Sequence, residues 1–215
     1  MAGAVIFDVD GVIFDSERVH VDAWEQVFPP RGIRLWEKDY LAGVGVCDRI
    51  FLENLRAAGT IPPGEDLEAI LEAKIAALIE RLDRPVRVFP GARETIEALA
   101  ERLPLCAASN SDRRFVEKML AGGGLLGRFS YVLARNDVAR PKPEPDIYLM
   151  GAERLGVAPA DCLVIEDSPV GIEAARRAGM RCVAVAHTVP AEKLLAADTV
   201  LPCIAPEGVL AALEG

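Results

Sequence analysis

The sequence predicts an α/β protein: a doubly wound parallel-sheet core interrupted by an all-helical insert. Three observations lead there. Short apolar runs alternate with helical patterns over most of the chain. Two of those runs end directly in paired acids. The segment between the first run and the rest carries no strand pattern at all.

Ala4, Val5, Ile6 and Phe7 form a continuous apolar run, the mark of a strand buried on both faces. Similar runs recur at Leu105 to Ala108, Cys162 to Ile165 and Cys182 to Val185, with a weaker fifth at Phe129 to Leu133. Between them, Ile96, Leu99, Ala100 and Leu103 recur at helical spacing from Arg93 to Leu103. Pro169 to Gly179 has clear end signals: Ser168 as N-cap, Pro169 at the first helical position and Gly179 just past the end.

From Ser16 to Leu82 the pattern is helical throughout. Ser16 is read as the N-cap of a helix carrying Val19, Ala23, Trp24 and Val27. A second helix is expected over Asp48 to Ala58. A third runs from Glu65 to Leu82 with Leu67, Ile70, Leu71, Ile75, Leu78, Ile79 and Leu82 on one face. Pro29, Pro30, Gly43, Gly45, Pro62, Pro63, Gly64 and Pro85 separate these helices. The expected division is residues 1–15 and 85–215 as catalytic core and 16–84 as insert, with hinges near Asp15–Ser16 and Arg84–Pro85.

Composition narrows the function. The 215 residues carry a net charge of −9, which argues against nucleic acid or an anionic membrane as partner. An anionic substrate would then need a metal ion or local lysines. The five cysteines are scattered without a C-x-x-C pair. Cys106, Cys162 and Cys182 lie in apolar runs and read as buried thiols, which favours a reducing cytoplasm. No apolar run is long enough to span a bilayer.

Four segments carry chemistry. Asp8, Asp10 and Gly11 follow the first strand, where open α/β sheets bind ligands. Ser109, Asn110 and Ser111 follow the second. Pro141, Pro143 and Pro145 alternate around Lys142 and stiffen the chain that presents it. Glu166 and Asp167 end a further buried run. Each segment also reads as a turn or a capped helix start. Together they put acids, a hydroxyl, a constrained lysine and more acids at one sheet edge.

In that order the segments resemble the four motifs of the haloacid dehalogenase superfamily. Phe14, Asp15 and Ser16, the run from Lys142 to Asp146, and the small-residue helix Gly171 to Ala175 resemble it too. The resemblance is strongest to the β-phosphoglucomutase-like group with its many sugar-phosphate phosphatases. It implies that the insert is a helical cap, that Asp8 is the nucleophile forming an aspartyl phosphate and that Asp10 is the general acid and base. It implies that Mg²⁺ is held by Asp8, the Asp10 carbonyl and Asp167, with Glu166 as ligand or outer partner. Lys142, Ser109 and neighbouring N–H groups, with Gly11, Asn110 and Ser111, would bind the transferring phosphoryl group. An acid at Asp10 favours phosphatase or mutase chemistry, since dehalogenases lack it and transport ATPases have threonine there.

His20, Trp24, Arg49 and Lys74 are the candidate readers of the leaving group. Trp24 also reads as cap core and Lys74 as a solvated helix residue. His20 lies one helical turn beyond the expected hinge. A mutase grips its second phosphate with a cap arginine shortly after a glycine. Counting from Gly43 or Gly45, that position falls on Val46 or Asp48, with Arg49 in neither register. Hydrolysis of a small phosphorylated metabolite by a monomer is therefore expected, with a phosphomutase as the alternative. A phospho-accepting receiver-like domain is a distant third.

Overall fold

The computed structural model describes residues 2–214, apart from the side chains of Glu37 and Leu41. Six parallel strands form one sheet in the order β3-β2-β1-β4-β5-β6. They are β1 (Ala4–Phe7), β2 (Leu105–Ala108), β3 (Tyr131–Leu133), β4 (Cys162–Glu166), β5 (Arg181–Val185) and β6 (Thr199–Leu201). β1 is central, pairing Val5 with Leu105 on one side and Val5 with Leu163 on the other.

Alternate residues of β1 feed two cores. Val5 and Phe7 join one that includes Ile96, Leu99 and Phe115, from α5 (Ala92–Ala100) and α6 (Arg113–Gly122). Ala4 and Ile6 join the other, with Ile147 and Tyr148 of α7 (Asp146–Leu155) and Ile172 of α8 (Pro169–Arg177). α9 (Pro206–Glu214) closes the first face beside α5. The sheet is thus covered on both sides, which is why its central strands are apolar without alternation.

Between β1 and α5 the chain leaves the sheet and builds α1 (Glu17–Val27), α2 (Glu37–Leu41), α3 (Asp48–Ala57) and α4 (Leu67–Arg81). α1 packs along α4, and Asp66 caps α4 by accepting from the N–H groups of Glu68 and Ala69. The two connections are tied together: Asp15 N–H donates to Arg87 O and Phe89 N–H to Ile13 O, each at 2.9 Å.

The structure corrects several local readings. Ser16 makes no capping bond; its hydroxyl donates instead to Asp10 Oδ1 at 2.7 Å. Its backbone, at φ −100° and ψ −7°, is not the extended conformation that sets a capping oxygen over the helix amides. The weak fifth strand shrinks to Tyr131–Leu133, while Phe129 packs edge-on against Phe7. α2 and β6 are additional; both are short, and β6 lies at the sheet edge with every residue only partly buried. Cys106, Cys162 and Cys182 are buried, and burial pushes their thiols up, Cys106 to about 12 and Cys162 to about 11. Among the described residues no helix is long and apolar enough to cross a membrane.

Candidate active site

The strand order reverses between β1 and β4, and the chemical residues gather beyond the carboxyl ends of those strands. Asp8 directly follows β1, and its N–H donates to Ile165 O of β4 at 2.9 Å. Lys142 Nζ reaches Asp8 Oδ1 at 2.5 Å, Glu166 Oε1 at 2.7 Å and Ala108 O at 3.0 Å. These three acceptors use all three ammonium donors. Asn110 Oδ1 accepts the Lys142 N–H at 3.0 Å, so the loop after β2 helps hold the lysine backbone.

Glu166 is wholly buried, and both oxygens are engaged. Oε1 accepts from Lys142 and from Tyr148 Oη at 2.6 Å. Oε2 accepts from Asp167 N, Ser168 N and Ser168 Oγ. Glu166 thereby anchors Lys142 beside Asp8. Gly171 must be glycine here, because a Cβ would overlap the Glu166 carboxylate. That explains the small-residue start of α8.

Asp10 faces a different set. Oδ1 accepts from Ser16 Oγ at 2.7 Å and from His20 Nε2 at 3.1 Å; Oδ2 accepts from Ser109 Oγ at 3.0 Å and Ser111 Oγ at 2.9 Å. The next residue, Gly11, has φ +76°, and a Cβ there would overlap Asp167. Behind His20, Lys74 Nζ lies 2.8 Å from Nδ1 and 2.6 Å from both Asp48 oxygens. An ammonium only donates, so Nδ1 accepts and Nε2–H points at Asp10.

Charge sorts the acids. Burial raises the Asp8 carboxyl well above its usual range; Lys142 opposes this, while Glu166 and Asp10 add to it. Asp167 is raised by burial and then by Glu166 and Asp8. Burial would also raise Glu166 and Asp10. Lys142 with the hydrogen bonds to Glu166 outweighs it there, and the bonds from His20, Ser16 and Ser111 outweigh it at Asp10, so both end lowered. Oxygens of Asp8, Glu166 and Asp167 lie within 4.8 Å of one another. Surplus negative charge held by one lysine is a hard-oxygen environment suited to a divalent cation.

The expected residues therefore separate. Asp8, Asp10, Gly11, Ser109, Asn110, Ser111, Lys142, Glu166 and Asp167 line one cleft with His20 and Trp24 from the helical insert. Trp24 is also insert core, stacked on Phe28 at 4.7 Å. Lys74 is not solvated; it is wholly buried, 5.0 Å from the Trp24 ring. Arg49 is not in the cleft. It pairs with Glu68 on another surface, because consecutive helical residues point about 100° apart and Asp48 takes the cleft side. Thr188, Tyr148 and His187 were not anticipated. Thr188 Oγ1 donates to Asp167 Oδ2. His187 Nε2 accepts from Ile204 N–H at 3.1 Å, so Nδ1–H donates to Gly11 O at 2.9 Å. Both follow β5, whose carboxyl end also opens on the site.

A family model described as haloacid dehalogenase-like hydrolase matches residues 2–179, and the chain belongs to that hydrolase family. It is 32% identical to the "Phosphorylated carbohydrates phosphatase" of Thermotoga maritima over 98% of both chains. It is also 32% identical to the "Fructose-1-phosphate phosphatase YqaB" of Escherichia coli, over 84% of this chain and 95% of that one. A solved β-phosphoglucomutase from Clostridium difficile superposes with a TM-score of 0.89 at 25% identity, covering 100% of this chain and 98% of that one.

Proposed function

We propose that this chain is a Mg²⁺-dependent phosphomonoester hydrolase acting on a small phosphorylated metabolite, a sugar phosphate by class, through a phosphorylated Asp8. One observation carries the reading: two carboxylates two residues apart sit in opposite environments. Asp8 is held by Lys142 beside the acid cluster, whereas Asp10 is gripped by four donors facing the cleft. A nucleophile and a proton carrier need that division.

Asp8, Asp167 and the Asp10 backbone carbonyl would hold the metal, and the surplus of carboxylates supports the fit. When bound, it offsets the charge that otherwise repels an anionic phosphoryl group. The four donors hold Asp10 as a carboxylate here, and it takes up a proton as the arriving phosphoryl group displaces Ser109 and Ser111. An Asp8 oxygen then attacks phosphorus, the ester P–O bond breaks, and Asp10 gives that proton to the leaving oxygen. Water then attacks the phosphorus of the acyl phosphate, Asp10 takes its proton, and the bond to Asp8 breaks. Lys142 neutralises charge on the transferring oxygens, and Ser109 and Asn110, released from Asp10 and Gly45, donate to them.

The free volume between core and insert is about 80 Å³. Substrate entry therefore needs the insert to lift as a cap, loosening Asn110 from Gly45 and Arg114 from Glu72. His20 travels with that cap, so its bond ties the protonation of Asp10 to closure.

The similarity to a solved mutase favours a second reading, phosphomutase. Neither cap position where a phosphate-gripping arginine is expected carries one: they are Val46 and Asp48. The test is phosphate release from a panel of phosphorylated metabolites with and without Mg²⁺, beside Asp8→Asn and Asp10→Asn. Mg²⁺-dependent release lost in both variants is expected. Isomerisation of β-glucose 1-phosphate primed with its bisphosphate, without release, would favour the mutase. Neither activity from folded protein would overturn the catalytic assignment.

A further inference from the structure

Resting on the phosphatase reading, we infer that the cap wall of the cleft selects a leaving group that carries hydrogen-bond donors and no second anion, with a protonated amine preferred, and that Glu17 reads it.

The acids that the cap brings to this cleft are Glu17 and Asp48, and His20 turns its Nε2–H to Asp10. No arginine lines the cleft among the described residues. Both nearby lysines are committed. Lys142 spends its donors on Asp8, Glu166 and Ala108, and Lys74 spends its own on Asp48 and His20. Arg49 faces Glu68 outside the site. A second phosphate entering beside the transferred one would meet the Glu17 carboxylate and the Asp48–Lys74 pair with no free cation, and like charges in a partly desolvated site repel strongly.

The two carboxylates differ in what they still need. Asp48 has Lys74 on both oxygens. Glu17 makes no hydrogen bond or ion pair to another described residue, yet it lines the cleft. Burial raises its carboxyl, and His20 and Lys74 offset that only in part. Its place in the first turn of α1 favours an acid there in any case. That preference does not explain why the side chain lies against the substrate cleft without a partner. A half-buried carboxylate in this position gains most from a charge-assisted donor, less from a hydroxyl, and loses against an anion. The substrate chemistry is therefore a polyol phosphate, and best an amine-bearing one, with a single phosphate.

Matched pairs test this under one set of conditions: glucosamine 6-phosphate against glucose 6-phosphate, and fructose 1,6-bisphosphate against fructose 1-phosphate. p-Nitrophenyl phosphate serves as a substrate with no leaving-group preference to read. In the wild type we expect kcat/KM to favour the amine over the hydroxyl, and the monophosphate over the bisphosphate, each by about tenfold, the difference between a charge-assisted and a neutral contact. Glu17→Gln should bring both ratios toward one, and Glu17→Lys should reverse the second. Thermal melts establish that each variant is folded, and the wild-type ratios decide the charge preference even if a variant is not. Equal turnover within the pairs overturns the inference, as do ratios unmoved in folded Glu17 variants. Turnover of p-nitrophenyl phosphate with none of the four sugars also overturns it, while leaving the phosphatase reading intact. Loss of all phosphate release, p-nitrophenyl phosphate included, overturns the phosphatase reading and this inference with it.

Discussion

Lys74 Nζ lies 2.6 Å from both oxygens of Asp48, and its side chain has no solvent exposure. Breaking a buried pair by removing one partner leaves an uncompensated charge. Asp48 keeps some exposure, so Lys74→Met is expected to cost about 3 kcal/mol, the lower end of the range for such losses. Lys74→Met with Asp48→Leu should recover part of that in urea unfolding. Both variants should also slow turnover, because His20 loses the donor that fixes its tautomer.

Tyr148 Oη donates to Glu166 Oε1 at 2.6 Å in a fully buried setting. Tyr148→Phe keeps the ring and removes one donor to a charged group. A loss of about 2 kcal/mol is expected, with the rate reduced less than tenfold because Lys142 still bridges Asp8 and Glu166. Chemical denaturation and steady-state kinetics on the same preparation check both parts.

His187 sits against Phe89 with ring centroids 4.0 Å apart, and both ring nitrogens are used as described above. Burial lowers its pKa below the ordinary value of 6.5, with Gly11 and Asp15 opposing. Below 6.5 the unfolded chain then binds a proton that the folded chain does not, so this group's contribution to stability falls as pH drops. The raised Asp8 and Asp167 act with the opposite sign, since the folded chain binds their protons first. The comparison is therefore wild type against His187→Gln in melts from pH 7.5 to 5. Wild type should lose stability relative to the variant as pH falls; a constant difference contradicts the assignment.

The crowding of Asp8 and Asp167 also has a thermal consequence. Mg²⁺ binding the folded state alone stabilises it by about 2.7 kcal/mol at a hundredfold excess over Kd. The melting temperature should rise with Mg²⁺ in the wild type and respond much less in Asp167→Asn. An equal rise in both would move the metal elsewhere.

Much of this was legible along the chain because the relevant signals are local. β1, β2 and β4 are continuous apolar runs, and the rule that ligands sit beyond strand ends pointed directly to Asp8, Ser109 and Glu166. The same rule reaches Thr188 and His187 beyond β5, but a histidine and a threonine there look like ordinary loop residues. Tyr148 and the Asp48–Lys74 pair had no local signal; their roles exist only once α7 meets β4 and α3 meets α4. Ser16 and Arg49 were misread for related reasons. At Ser16 the backbone departs from the capping conformation and the hydroxyl turns to Asp10, and one step along a helix turned Arg49 away from the cleft.

The most direct test of the account is to trap the phosphoryl group. Wild-type protein mixed with a turned-over phosphomonoester labelled at phosphorus, in Mg²⁺, is quenched with acid within the first turnover and mapped by peptide. Label on the peptide containing Asp8, absent in Asp8→Asn and formed fast enough to account for kcat, is the predicted result. Phosphate release at full rate in Asp8→Asn, or label on another residue, would contradict it.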